Sequence, residues 1–315
     1  MRIKYFPKNF GDETFMNSDT SSVLNAVLQE YDLSGERSEQ PHFYHVHSKV
    51  VAYADDGSQT SVDVYTLNLM CEPGGRSAVA GDKYTCTRFS LQRNDGAEVT
   101  IPSLKGWSYD FNKKMLNEVS LDEQGQLFGI PNARFKDLID STGTPIPPEV
   151  GYQVYSMFIY YHSYCTGLAE PTDQGKGIQD LRKIGDKVVL ETSDIETPIP
   201  GGMGEEGSTF KHGAETLEFK GVSVVDDLPC AIIGFDSGEG SFKMIMKPMP
   251  NIEILTVGGS HYHGDLYIDL ASKWVKKVTK TLTDITKTTM GDTKIAGGVI
   301  KTTLRIRALA KNEFS

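Results

Sequence analysis

No run in this 315-residue chain approaches the roughly eighteen consecutive apolar residues that a membrane-crossing helix needs. The opening residues, Met1-Arg-Ile-Lys-Tyr-Phe-Pro, lack the apolar core of a secretory signal. That is the pattern of a cytosolic chain, or of a secreted one whose signal has been removed. Cysteine is scarce, at four residues, and no two form a C-x-x-C pair, which argues against a zinc knuckle. There is no G-x-S-x-G elbow and no H-E-x-x-H, the motifs that present a nucleophilic serine or a catalytic zinc ion. Gly201-Gly202-Met203-Gly204 does not follow a strand and open a helix, so a phosphate loop is unsupported. Positive charge is in deficit: 32 Lys and Arg stand against 42 Asp and Glu, a net charge of −10. A negative field repels phosphate backbones, so nucleic acid is not an expected partner.

What the chain does have is strand chemistry. A hydrophobic fraction of 38% suits thin β layers with one solvated face. His42–Tyr53, Ser61–Met70 and Tyr84–Leu91 read as strands, with turn signals at Asp55-Asp56-Gly57 and Asn94-Asp95-Gly96 and a short return at Glu98–Ile101. After residue 209 the texture is uniform. Thr216–Val225, Pro229–Gly234, Ser241–Lys247, Ile252–Val257, Asp265–Leu270, Lys273–Thr288 and Lys294–Ala308 are expected as strands of an antiparallel meander. Gly258-Gly259 reads as a break in the chain, and Ala271-Ser272-Lys273 as a tight connection. In Trp274–Thr288, alternation puts Val275, Lys277, Thr279 and Thr281 on one face and Trp274, Lys276, Val278, Lys280 and Leu282 on the other, with Lys and Thr toward solvent.

Helices are few. Val23, Leu24, Val27 and Leu28 recur at helical spacing within Thr20–Tyr31, and Asn132–Ile139 has a cap and an apolar face. Glu149–Tyr164 fits either helix or strand. The expected fold is mostly β: an antiparallel meander forming a curved sheet or half-barrel, with a few short helices. Residues 1–168 form its N-terminal β-rich region, 169–208 a Pro/Gly-rich connection and 209–315 the C-terminal meander, with one continuous β domain as the alternative.

Seven histidines are present, and two pairs have i, i+2 spacing: His45/His47 and His261/His263. On a strand such residues point to the same side. If the two strands adjoin, four imidazoles converge on one divalent ion, zinc or copper, with Asp265 able to add an oxygen. The opposing reading is ordinary surface histidines. His162 and Cys165 are a weaker pair, read as a core histidine beside a buried thiol. Cys71 and Cys86 flank a Gly-rich loop, and either a disulfide or two buried thiols fits. Acidic pairs such as Asp226/Asp227 sit in turns, where Asp is favoured for backbone reasons. No two carboxylates stand out as a catalytic couple.

Gly264-Asp-Leu-Tyr-Ile-Asp-Leu followed by Trp274-Val-Lys-Lys-Val resembles the hairpins of periplasmic lipoprotein carriers. The resemblance covers about residues 209–310. It implies a curved antiparallel sheet over a few helices, enclosing an apolar cavity for acyl chains. No functional residue of that group maps onto a position here, and the long lead-in Met1–Ser208 departs from it. The expected function is therefore a secreted or periplasmic binding protein for an apolar or amphipathic small molecule or lipid. Tyr155, Phe158, Tyr161, Tyr267 and Trp274 are its candidate lining. The competing readings are a metal-dependent enzyme built on His45, His47, His261 and His263, and a structural subunit whose long strands pair between chains.

Overall fold

Segments that alternate apolar and polar residues become strands, and the turns fall at Gly, Asp and Asn. The computed structural model describes residues 29–74, 81–111, 130–172, 175–190, 196–198, 205–249 and 252–314. The strands are β1 (His42–Tyr53), β2 (Gln59–Glu72), β3 (Asp82–Arg93), β4 (Val99–Thr100), β5 (Ser108–Phe111), β6 (Lys187–Val189) and β7 (Glu196–Pro198). They continue with β8 (Thr209–Lys211), β9 (Thr216–Val225), β10 (Leu228–Asp236), β11 (Gly240–Met249), β12 (Ile252–Asp269), β13 (Val275–Met290) and β14 (Thr293–Leu309). All fourteen belong to one sheet, with the order β4-β3-β2-β1-β14-β13-β12-β10-β9-β6 and with β5, β7, β8 and β11 attached beside it. The two ends, β4 and β6, do not pair with each other, so the sheet is open.

The sheet is antiparallel throughout, and β1 pairs with β14 from Phe43↔Leu309 to Tyr53↔Val299. That seam joins the first hairpins of the chain to the last. The Pro/Gly-rich stretch between residues 169 and 208 contributes β6 and β7 to the same sheet. The last hairpin closes at Gly291-Asp292, where Met290 faces Thr293 and Gly291 takes a φ of 56°. Asp226 and Asp227, at φ 49° and 62°, form the left-handed pair that a two-residue hairpin turn requires.

One face of the sheet is covered. Tyr44, Val46 and Ser48 of β1, Thr302, Leu304, Ile306 and Ala308 of β14, Val278, Lys280 and Leu282 of β13, and Leu266 of β12 are all buried on it. We call it the inner face. The single α-helix of the described residues, α1 (Pro148–His162), lies against it and continues into a π-helical turn at Ser163–Gly167. Proline at the first helical position and Glu149 in the first turn suit the helix start. Val150, Val154, Phe158, Tyr161 and Cys165 form a stripe at helical spacing that is sealed from water. The Phe158 ring meets Phe89 of β3 at 6.1 Å, and Tyr161 meets Tyr44 of β1 at 5.0 Å. On its other side the helix packs against Phe135, whose carbonyl approaches so closely that a Cβ at Gly151 would lie 2.5 Å from it.

The segment before β1 acts as a strap. Tyr31 donates its backbone N–H to Arg182, Ser38 donates to Ser272, and the Trp274 indole donates to the Ser38 carbonyl at 2.8 Å. Arg37 then reaches under the strap. Its guanidinium pairs with Glu170, donates to the Cys165 carbonyl at 2.5 Å, and lies 4.5 Å above the Trp274 ring. Strap, π-turn and β13 are thus pinned at one point.

Three expectations need correction, and the choice left open at Cys71 and Cys86 is settled for two buried thiols. Gly258-Gly259 does not break the chain: both lie inside β12, opposite Phe242 and Ser241 on one side and Thr286 and Ile285 on the other. Asn132–Ile139 forms only a 3-10 turn, Asn132–Phe135. Cys71 and Cys86 are both free and buried. A bulge beside Asn68 sets Cys71 opposite Tyr84 and Cys86 opposite Leu69, so the thiols are diagonal neighbours. Diagonal Cα atoms lie about 7–8 Å apart, beyond ordinary disulfide reach. In β13 a second bulge leaves Lys276 as the extra residue between Tyr267↔Lys277 and Ile268↔Val275. Val275 and Val278 therefore share the inner face, and Lys280 is turned into the protein rather than toward solvent. The proposed helix within Thr20–Tyr31 lies mostly outside the described residues.

Gly264 shows how tightly β12 is seated. It faces Lys280 across the ladder, and a Cβ there would run into the Thr279 carbonyl and lie 2.6 Å from Phe235 Cζ. Backbone cannot yield as a side-chain tip does, so Gly264→Ala is expected to lower stability by about 1–3 kcal/mol. A thermal unfolding midpoint unchanged within error would contradict this packing.

Candidate functional site

The histidine pairs sit on the outer face of the sheet, but not together. His45 and His47 are on β1, His261 and His263 on β12, and β14 and β13 lie between them. Three strand spacings make roughly 14 Å, too far for shared coordination. The four-imidazole metal centre is corrected on this ground. Among the described residues no group of three His, Cys, Asp or Glu side chains could hold an ion. Each pair has its own company instead. His45 Nδ1 lies 2.9 Å from Asn68 Oδ1, and His261 Nε2 lies 2.9 Å from Asp236 Oδ1.

The aromatic candidates separate as well. Tyr155, Phe158, Tyr161 and Trp274 are buried in the core around α1 and the strap, where they pack against other rings rather than lining an opening. Tyr267 is on the outer face, with the Lys277 ammonium 4.8 Å above its ring. His162 is enclosed by Tyr84, Tyr109 and Phe111 and bonded to the Tyr109 hydroxyl at 2.8 Å. Burial pushes its imidazole down to about 3 and pushes the Cys165 thiol up, so the thiol stays protonated and the imidazole is too weak a base to take its proton.

Two arrangements emerge that residue patterns alone did not reveal. The first is a basic surface. Lys and Arg number one on β1, four on β13, of which Lys280 is turned to the inner face, and four on β14, against a single carboxylate, Asp284, which also faces inward. Across the outer face the rows read His45–Arg307–Lys277–Tyr267, His47–Arg305–Thr279–Asp265, Lys49–Thr303–Thr281–His263 and Val51–Lys301–Thr283–His261. Lys49, Lys301, Arg305 and Arg307 are exposed. Arg307 meets Asp226 at 2.8 Å, and the Asp265 carboxylate is held by Lys220 at 2.7 Å. The His47 imidazole is pushed down by burial first, and then by the positive neighbours His45, Arg305 and Lys49. One row further on, the surface turns apolar. Tyr53, Val299 and Ile285 line an open groove of about 400 Å³ with Gly298, Thr286 and Asp55, whose carboxylate is paired with Lys294, and Ile285 is 60% exposed.

The second is a polar knot on the inner face, at the edge of α1. Lys280 is 5% exposed, and its Nζ lies 4.0, 5.0 and 5.2 Å from the rings of Tyr160, Tyr262 and Tyr164. Two acids attend it. Glu215 accepts a hydrogen bond from the Tyr262 hydroxyl at 2.7 Å, and Asp284 lies one inner-face step beyond Leu282 on the same strand. Burial pushes Lys280 down to about 7, against the opposing pull of Asp284 and Glu215. Burial likewise raises both carboxyls.

Comparison with known proteins finds no matching family model and no matching curated relative. Among solved structures the chain is similar, at 9% identity and a TM-score of 0.15, to an outer membrane lipoprotein-sorting protein domain from Vibrio parahaemolyticus, over 89% of this chain and 91% of that one. It is also similar to a mutant porin of Rh. blastica (8% identity, TM-score 0.20, 86% of this chain and 100% of that one). A third is the outer membrane channel DcaP of Acinetobacter baumannii (7% identity, TM-score 0.16, 88% and 100%). TM-scores this low do not establish a common fold.

Proposed function

We propose that the protein is a binding protein of the secreted or periplasmic space whose ligand is an amphipathic anion, an anionic lipid, held on the outer face of the sheet. The carrying observation is the charge segregation on β1, β13 and β14: a chain of net charge −10 keeps these three adjacent strands almost free of carboxylates. Lys49, Lys301, Arg305 and Arg307 would meet the headgroup, with Lys277 and Tyr267 at one margin. The groove of Tyr53, Ile285 and Val299 would take the beginning of the acyl chain. An enclosed aromatic pocket is not needed, because four of the five rings expected to line one, Tyr155, Phe158, Tyr161 and Trp274, form the core.

Co-sedimentation with vesicles tests this. Binding is expected to vesicles containing phosphatidylglycerol and not to pure phosphatidylcholine, and it should weaken as salt shortens the Debye length. Each cation near an anionic surface contributes about 1 kcal/mol, so reversing Lys301 and Arg305 to Glu should lower affinity by more than about tenfold. Equal binding to neutral vesicles, or a double variant that binds as well as the parent, would overturn the proposal.

A further inference from the structure

The positive charge of the outer face does not end at the apolar groove. The groove row reads Tyr53–Val299–Ile285–Gly259 across the ladder, and the next row on the same face reads Gly297–Lys287–Val257–Lys243. Lys243 and Lys287 are exposed, and among the described residues no carboxylate pairs with either. Two nearby acids are already engaged: Asp55 pairs with Lys294, and Glu253 with Lys247 at 3.7 Å. A third, Asp292, lies in the turn at the hairpin tip, beyond both lysines. From Thr283, which faces Lys301, to Lys287 is four residues along β13, or roughly 13 Å at the rise of a strand. The face therefore carries cations, then an apolar band, then cations again. The band is open to solvent: Ile285 and Val257 are 60% and 38% exposed. Gly259 faces Ile285 across the ladder and puts no side chain beside it.

We propose that the ligand of this face is a lipid with two phosphate groups held about that distance apart, its acyl chains leaving from between them. The inference rests on the anionic-lipid reading above and specifies its ligand. One phosphate would meet Lys49, Lys301 and Arg305, and the other Lys243 and Lys287. The acyl chains would start over Ile285 and Val257.

The order of the bands carries this. A lipid with one anionic headgroup at the first band would lay its chain toward Lys243 and Lys287. That brings two unpaired ammonium groups against hydrocarbon, which is costly unless their charge is met. A second phosphate meets it with charge-assisted hydrogen bonds. Lysine suits the task, since its methylenes can lie along Val257 while the ammonium reaches a phosphate. As point charges on flexible stems, the two lysines ask for a distance rather than one fixed geometry. A nucleic-acid backbone would bring evenly spaced phosphates but nothing to cover Ile285 and Val257.

The test compares two phosphatidylcholine vesicles with the intact protein. One is doped with diphosphoryl lipid A, an acylated disaccharide with a phosphate at each end. The other carries the monophosphoryl form and enough phosphatidylglycerol to match the surface charge. Only the placement of two charges on one molecule then differs. Binding to the diphosphoryl vesicles is expected to be tighter by about tenfold or more, since each cation near an anionic group contributes about 1 kcal/mol. Lys243→Gln with Lys287→Gln, at two exposed positions, should cancel most of that preference. Affinity for the diphosphoryl vesicles should fall about tenfold, against less than about threefold for the monophosphoryl ones. Equal binding to the two charge-matched vesicles, or a preference that survives both replacements, would overturn this inference. The anionic-lipid reading fails separately, through loss of any preference for phosphatidylglycerol over pure phosphatidylcholine.

Discussion

Replacing Glu170 by alanine is expected to destabilise the protein by about 3–5 kcal/mol, the usual cost of stranding one partner of a buried ion pair. Arg37 and Glu170 have side chains only 8% and 3% exposed, and they are in direct contact. With the carboxylate gone, the guanidinium keeps the Cys165 carbonyl and the Trp274 ring, but among the described residues no other carboxylate pairs with it. The loss reaches beyond one contact because Arg37 ties the strap to the π-turn and β13. A double variant, Arg37→Met with Glu170→Met, should recover much of the loss, since two apolar side chains of similar length remove both charges together. Urea unfolding monitored by Trp fluorescence measures both. A Glu170→Ala variant within about 1 kcal/mol of the parent would show that the pair is not the anchor described.

Much of the sheet was legible in residue order, and its limits have identifiable causes. The expected strand His42–Tyr53 coincides with β1, and Thr216–Val225 with β9. Those runs carry strict alternation bounded by turn residues, which the backbone has no other good way to satisfy. The expected strands Lys273–Thr288 and Lys294–Ala308 likewise coincide with most of β13 and β14, which pair as the final hairpin. Gly258-Gly259 misled because glycine signals weak strand propensity, while here it answers to neighbours. A Cβ at Gly258 would lie 2.7 Å from the Phe242 ring, so the missing side chain makes room for close packing within an unbroken strand. The segment Glu149–Tyr164 stayed ambiguous because its residues are apolar on nearly every side. The structure explains this: α1 is covered by the sheet on one face and by Phe135 on another.

The site was less legible, since it depends on which distant strands become neighbours. The absence of Asp and Glu from His42–Tyr53 and Thr293–Leu309 is plain in the sequence. That these runs lie side by side, separated by some 250 residues of chain, follows only from the β1–β14 seam. The histidine pairs show the same limit from the other direction. Spacing put each pair on one side of its strand, but the strand order sets β13 and β14 between the pairs. Lys280 was hidden by a single bulge. Strict alternation groups Val278, Lys280 and Leu282 together, which the structure keeps, but places them with Trp274 and Lys276 and reads the lysines as solvent-facing. A mid-strand Lys flanked at i±2 by Val and Leu was the available clue that its face is buried.

That burial gives Lys280 a measurable signature in the pH dependence of stability. Its folded value, about 7, lies below the ordinary 10.5 that the unfolded chain retains. Between these values the unfolded state binds the extra proton, so stability rises with pH through this interval. The contribution is about 1.4 kcal/mol per pH unit, or roughly 2–3 kcal/mol between pH 7 and pH 9. The groups facing it act elsewhere or oppose it. Glu215 and Asp284 are raised, so they favour the folded state on the acid side and lose that contribution as pH climbs through their folded values. The hydroxyls of Tyr160, Tyr164 and Tyr262 are raised by burial, and they lower stability only where unfolded tyrosine ionises, near pH 10. The Cys86 and Cys230 thiols, each pushed up to about 12 by burial, begin to lower stability above the ordinary 9.0 of a free thiol. The gain from Lys280 should therefore stand out between pH 7 and pH 9 and be offset beyond it. Lys280→Met removes the titrating group while keeping an unbranched side chain among the tyrosine rings. Its stability is expected to exceed the parent's most at pH 7, with the difference shrinking by about 2–3 kcal/mol by pH 9. Parallel stability curves for parent and variant across that interval would mean that Lys280 is not held near neutrality by its surroundings.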